Sequence, residues 1–314
     1  MTDAFNSSPP SHERVCAIVV AFNRCAMLHS CLQHLNAQTR PLDHILVVNN
    51  ASTDDTAEMV RREFPGATLL DLPDNGGGAG GFHAGMKHAF EGGFEWLWLM
   101  DDDVFASPNA LETMLSQSAS ADVLVPAQQD ALGRLYGAAK WSGRGVEVTE
   151  DVIEKRRPAV GKYVFTFAGP LLSRRVVEAV GLPLKEFFIW FDDAEYSLRV
   201  HQTALSIRVV PEAVLFHDVG GKPQTRQLLG RTLIRILPPP WKLYYGARNT
   251  LYVILRQTVS KRKKQRMLIG YSLSHCYQAL QDILFEADRV QRLRMRLRGI
   301  KDGVTGNLGK KELS

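Results

Sequence analysis

The chain has 314 residues, 45% hydrophobic and 9% aromatic, which excludes disorder and allows one large domain or a domain with an appendage. Its net charge of +5 hides an asymmetry: residues 1–221 carry 18 Lys/Arg against 28 Asp/Glu, whereas residues 222–301 carry 18 against 3. Such a basic block calls for an anionic partner, whether nucleic acid, a lipid surface or a phosphorylated substrate. Four cysteines (Cys16, Cys25, Cys31, Cys276) show neither CxxC pairing nor zinc spacing and read as reduced thiols of a cytosolic protein.

Residues 1–13 are polar, without a signal-peptide core, and read as a disordered tail. No run of 18 apolar residues predicts a membrane-spanning helix. Val15 to Phe22 reads as a buried strand, followed by a helix to about Ala37 and a second strand over His44–Val48. Ser52 or Thr53 is expected to cap a helix carrying Asp55 to Glu63. A short strand over Ala67–Asp71 leads to a glycine loop, Asn75 to Phe82, that opens a helix to about Glu91. Trp96 to Met100 is a fourth strand, and Ser107-Pro108 is expected to start the next helix. This alternation predicts an α/β, doubly wound and mostly parallel sheet. Strands are then expected over Asp122–Pro126 and Tyr163–Ala168, separated by a Gly-rich polar excursion from Gly133 to Gly161. Helices follow over Arg174–Val180 and Asp192–His201, and a strand from Ser206 leads to His217. From Pro238 onward the pattern is helical and basic, so the expected domains are 14–222 and a helical region 223–314.

Trp96 to Met100 runs straight into Asp101, Asp102 and Asp103, which belong at the carboxyl edge of the sheet, the ligand position of open α/β folds. If extended geometry persists, Asp101 and Asp103 share one face and form half of a divalent-metal site, although an acidic triplet alone is more often a solvated turn. Glycines at 76–78, 80 and 81 could bring backbone N–H groups close to a diphosphate, or simply form a turn. Asn23, Arg24, Asn49 and Asn50 end the first two strands at the same edge, where amides can read a base or ribose and Arg24 can pair with phosphate. Phe187 to Phe191 can fence a site in front of Asp192, Asp193 and Glu195, where a carboxylate could serve as a general base. His217 becomes a metal candidate because the acid pair needs further ligands.

These segments together resemble the family 2 inverting glycosyltransferases of GT-A fold, and among them bacterial galactofuranosyltransferases. The resemblance spans roughly residues 14–220 and rests on Val19–Arg24, Ala37–Arg40, Ile45–Thr53, Asn75–Phe82, Trp96–Asp103, Trp190–Tyr196 and His217. Tyr244–Asn249 is similar to a segment of related rhamnosyl and galactofuranosyl enzymes. The resemblance implies that Ala21 to Arg24 and Asn49 or Asn50 bind the nucleotide, with Asn75, Gly77, Gly80 and Gly81 lining the donor pocket and Asp102 a structural or ribose contact. It implies Mn2+ or Mg2+ on Asp101, Asp103 and His217. Asp193 would be the catalytic base, Asp192 would position sugar hydroxyls, and Trp190 and Glu195 would meet the acceptor. The implied reaction moves galactofuranose from a UDP-sugar donor to a polyprenyl-diphosphate-linked or polysaccharide acceptor. The basic helices would rest on an anionic membrane surface, peripherally, at the cytoplasmic inner face. Rivals are a dTDP-rhamnose rhamnosyltransferase, a nucleotidyltransferase and a nucleic-acid-binding protein; the last lacks any recognised motif, and no nucleic acid is expected.

Overall fold

A computed structural model describes residues 13–136, 139–142, 145–148, 159–161, 163–217, 224–228, 231–235 and 237–313. The expected tail, apart from residue 13, and the expected domain boundary at 222 and 223 lie outside these residues. Four parallel strands form the first half: β1 (Val15–Ala21), β2 (His44–Asn49), β3 (Thr68–Asp71) and β4 (Trp96–Asp101), in the spatial order β4-β1-β2-β3. Helices α1 (Cys25–Asn36), α2 (Thr56–Glu63) and α3 (Gly77–Glu91) make the crossovers. The continuous apolar runs of β1 and β4 follow from burial on both faces. Ala17, Val19 and Trp98 pack into one core, while Ile18, Val20 and Leu99 pack into the other. Val20 lies beside Asp101, and Ala21 beside Asn49, so the strand ends do share one edge.

Beyond β4 the sheet becomes mixed. After the acid turn come β5 (Val104–Ala106), α4 (Ala110–Leu115) and β6 (Val123–Gln129). The excursion read as polar loop contains β7 (Leu135–Tyr136), β8 (Ala139–Ser142), β9 (Gly145–Val148) and β10 (Ala159–Gly161), ahead of β11 (Tyr163–Val164). Next, β12 (Leu171–Ser173) inserts antiparallel between β4 and β6, too short to leave a periodic signal. Helices α5 (Arg174–Val180) and α6 (Asp192–Val200) precede β13 (Ile207–His217), which pairs parallel with β6 and antiparallel with β5 and β10. Of the strand expected to Ala168, only β11 is regular; beyond it Phe165 N–H donates to the Ser197 hydroxyl, not to a ladder.

The basic region opens on a hairpin, β14 (Gln224–Leu228) with β15 (Arg231–Arg235), before three helices: α7 (Pro240–Arg256), α8 (Lys261–Phe285) and α9 (Arg289–Thr305). Two helix starts differ from expectation. Asp54 carboxylate accepts from Thr56 N–H at 3.1 Å at the head of α2, whereas Ser52 and Thr53 bond Asn23 instead. Helix α4 begins at Ala110, and the Pro108 carbonyl accepts from Thr39 N–H. All four cysteines are free.

Candidate active site

Strand geometry ends at Asp101; Asp102 and Asp103 form a turn, so the pleat does not bring Asp101 and Asp103 together. The turn does, and the pairing of β5 with β13 adds the histidine. It sets His217 opposite Val104, next to Asp103, with Nε2 3.5 Å from Asp103 Oδ1. The other ring nitrogen contacts Gln128 Oε1 at 3.1 Å, which orients the imidazole. Ligand atoms of Asp101, Asp103 and His217 all lie within 4.8 Å of one another. Two carboxylate oxygens and an imidazole nitrogen suit Mn2+, and with more waters Mg2+. Asp101 opens onto the cavity yet sits deep in the protein, and burial, then repulsion from Asp103, Asp102 and Asp193, pushes its carboxyl up to about 8. A bound divalent cation would remove that penalty, so the residues fit one.

Asp102 turns elsewhere. It accepts from Phe22 N–H at 3.2 Å and from Arg24 at 3.2 Å, and burial raises it to about 6 against the pull of Arg24. Arg24 also pairs with Asp103, so in this state its guanidinium faces the acids.

Two cavities meet here. The larger, about 700 Å³, includes Phe22, Arg24, Asn50, Asn75, Gly77 and the three acids in its walls. The second, about 610 Å³, reaches Asp192, Asp193 and Phe82. Gly78, Asp101, Ile189, Trp190 and His217 belong to both, so the candidate metal cluster stands at the junction. Asp192 and Asp193 open α6, at the favourable end of its dipole. Burial nevertheless raises Asp193 to about 6, against a hydrogen bond from Ala194 N–H at 2.6 Å. Asp192 is pushed up further, by burial and then by its neighbour's charge.

Other expected site residues are not brought to these cavities. Ala21 is fully buried, with its carbonyl accepting from Asn50 N–H. Asn23, in left-handed conformation at φ 53°, accepts from Thr53 N–H at 2.7 Å and so braces two loops. Asn49 donates to Asp71 at 2.7 Å and accepts from Ser52 N–H. Most of the glycine run is helix, not loop. Gly81 gives α3 its close approach to β1, where a Cβ would come within 2.4 Å of Val20, and Gly80 lines neither cavity. Gly76 and Gly77 N–H groups donate to Asn50 and Asn75, so they do not point at a ligand. Glu195 is taken by Arg199, which donates to both its oxygens at 2.8 and 3.0 Å. Glu195 is absent from the walls of both cavities, and its acceptor contact stays an expectation from the sequence.

The sequence reading missed what holds the aromatic segment. Phe188, Trp190 and Phe191 all have φ of 66°, a region that bulky residues rarely occupy and that costs roughly 1–3 kcal/mol each. Buried Arg248 and Asn249 on α7 stabilise it. Asn249 Nδ2 lies 2.8–3.1 Å from the carbonyls of Phe187, Ile189 and Trp190, and Arg248 donates to those of Glu186 and Phe187. From the other side Ala79 N–H donates to Phe188 carbonyl, and a Cβ on Gly77 would lie 2.0 Å from that oxygen. Resemblance had marked Tyr244–Asn249 without giving it a task; two consecutive polar residues inside an apolar helical stripe were the available signal.

Comparison with known proteins now bears on this geometry. The family description "Glycosyl transferase family 2" matches residues 16–174. The chain is 30% identical over 267 residues, 82% of it and 87% of the relative, to galactofuranosyltransferase GlfT1 of Mycobacterium tuberculosis. It is 21% identical to the dTDP-rhamnosyl transferase RfbF of Shigella flexneri, over 95% and 98% of the two chains. In fold it is similar to S. aureus TarS 1-349 in complex with UDP-GlcNAc, at 15% identity, TM-score 0.58 and coverage of 93% and 83%. Similarity extends to GalNAc-T7 with UDP, GalNAc and Mn2+, at 12% identity, TM-score 0.54 and coverage of 83% and 55%.

Proposed function

The chain belongs to glycosyl transferase family 2, with a GT-A fold, and on that footing we propose that it transfers galactofuranose from UDP-galactofuranose to a hydroxyl of a lipid-linked or polysaccharide acceptor, with inversion. The carrying observation is the junction of the two cavities at the Asp101, Asp103 and His217 cluster, with Asp192 and Asp193 in the wall of the second. The nucleotide would occupy the larger cavity, along Phe22, Asn50 and Asn75, and the acceptor would enter the smaller beside Trp190. Asp193 takes the proton of the acceptor hydroxyl as that oxygen bonds to the anomeric carbon, from the face opposite the departing UDP. Asp192 holds sugar hydroxyls and Asp102 fixes Phe22 and Arg24. Mn2+ or Mg2+ on Asp101, Asp103 and His217 would supply neutralisation of the leaving diphosphate.

Incubation with a panel of UDP- and dTDP-sugars, following nucleotide release, tests the donor. The 30% identity to GlfT1 favours UDP-galactofuranose, and the full-length likeness to RfbF keeps dTDP-rhamnose as the second reading. Turnover of dTDP-rhamnose alone would replace the first reading with the second, and turnover of neither would remove both.

We also propose that the protein sits peripherally on an anionic membrane, at its cytoplasmic face. Among the described residues no helix is long and apolar enough to cross a bilayer. Helix α8, however, is apolar on two faces. Met267 and Tyr271 pack inward, while Ile269, Leu273, Tyr277, Leu280 and Leu284, each more than half exposed, form an outer stripe at helical spacing. Arg262 and Arg266 extend that stripe, and the one acid of α8, Asp282, is buried against Arg296. An outer face of apolar residues and cations without acids fits anionic headgroups better than a second copy of itself.

A further inference from the structure

We propose that Lys242 and Lys310, with Arg24, form a diphosphate-binding wall of the larger cavity, built by the helical region and the C-terminal segment. This rests on the nucleotide-sugar reading of that cavity. Lys242 stands in the first turn of α7, where the helix dipole disfavours a cation, and no acid accompanies it there. It is half-buried; burial, and then the charge of Arg24, pull its ammonium below the ordinary lysine range. Its Nζ lies 5.8 Å from the Trp190 ring and 5.5 Å from that of Trp241, and among the described residues it has no carboxylate partner. Lys310 brings a second ammonium, 5.8 Å from the Phe188 ring.

The segment carrying Lys310 is held in place. Gly309 N–H donates to Glu186 carbonyl at 2.7 Å, Arg248 donates to Gly309 carbonyl at 2.6 Å, and Lys311 N–H donates to Tyr245 hydroxyl at 2.9 Å. Leu313 then packs with Tyr245, Trp241 and Phe188. The acids of the cavity are already engaged: Arg24 holds Asp102 and Asp103, and Asp101 faces the candidate metal position. Lys242 and Lys310, both in the wall of the larger cavity with Phe188, Trp190 and Trp241, are therefore charge in excess of what the protein neutralises there. An anion relieves three penalties together: the helix-dipole clash, the partial desolvation and the repulsion from Arg24. A diphosphate, with several anionic oxygens, can span two ammonium groups where a monoanion meets one. Its source is either the nucleotide donor or a lipid diphosphate on the acceptor.

Calorimetry on the full chain with Mg2+ present separates these, using uridine, UDP, inorganic pyrophosphate and farnesyl diphosphate as probes. Lys242→Met and Lys310→Met should each weaken diphosphate-bearing probes about tenfold or more and leave uridine unchanged. A loss for UDP assigns the wall to the donor, and a loss for farnesyl diphosphate with UDP intact assigns it to the acceptor. If the wild type binds pyrophosphate but not UDP, and the variants lose it, the nucleotide reading falls and the wall stands. Unchanged affinities in both variants, or a wild type that binds none of the diphosphates, overturns the wall. Lys310 is exposed on the C-terminal segment, so its variant reports on binding even if Lys242→Met lowers stability.

Discussion

Asp193 shows how position converts an ordinary carboxyl into a candidate base. Its apolar surroundings raise it to about 6, so the ionised form that can accept a proton grows in as pH rises through that value. The acid limb of kcat/KM, measured across a pH series at saturating metal, is therefore expected at or below about pH 6, because a cation beside Asp101 favours the ionised form. Asp193→Asn should lower kcat by roughly 10²–10⁴-fold and leave UDP affinity within a few fold; near-normal turnover would reassign the base. The sign for stability runs the other way. A carboxyl raised in the folded state binds its proton more tightly there than in the unfolded chain, so its contribution is full below the unfolded value of 3.8 and is lost as pH rises through about 6. Asp193→Asn should accordingly raise the metal-free Tm at pH 7, which thermal denaturation checks. At Asp101, held near 8, Mg2+ or Mn2+ binding at pH 7 should release close to one proton. Calorimetry in buffers of different ionisation heat reads that release, and Asp103→Asn or His217→Ala should weaken the metal affinity itself.

At the scale of elements, the site depends on a strained segment gripped from two sides. Asn249→Ala takes the amide donor from the carbonyls of Ile189 and Trp190, at a cost of about 1–3 kcal/mol for each left unsatisfied, while the Phe187 carbonyl keeps Arg248. Urea unfolding should show that loss, and kcat should fall because Trp190 and the head of α6 shift together. Gly77→Ala tests the opposite grip: φ of 69° and a 2.0 Å clash with Phe188 carbonyl predict lower stability and weaker UDP binding. Wild-type behaviour in both variants would mean that the segment holds its shape unaided. The glycine run serves two ends, with Gly77 and Gly78 in the wall of the larger cavity and Gly81 packed on β1. Five glycines suggest a phosphate loop, yet Gly81 and Gly85 are there because a Cβ would strike Val20 and Ile18 on β1. No local pattern distinguishes close helix–strand packing from close approach to a ligand.

For the whole molecule, charge and exposure act together on α8. Leu273→Asp with Leu280→Asp should reduce sedimentation with anionic vesicles at low salt, and binding by the wild type should weaken as salt rises. No wild-type binding at low salt would leave the stripe without its proposed partner.

Much of the first half was legible in the sequence because its cause is local. Unbroken apolar runs mean strands buried on both faces, and their polar ends mark one edge of a parallel sheet; Val15–Ala21, His44–Asn49 and Trp96–Asp101 bear this out. Order along the chain could also place Asp101 and Asp103 next to each other, but by the wrong route, since a turn and not a pleat arranges them. The rest of the site comes from pairings between distant segments. The β5–β13 register sets His217 beside Asp103, Arg24 closes on Asp102 and Asp103, and Arg248 with Asn249 reaches back to hold the segment before Asp192. Each depends on which of many apolar surfaces meet, a choice made by the packing of the whole core, whereas strand and helix periods are written into neighbouring residues.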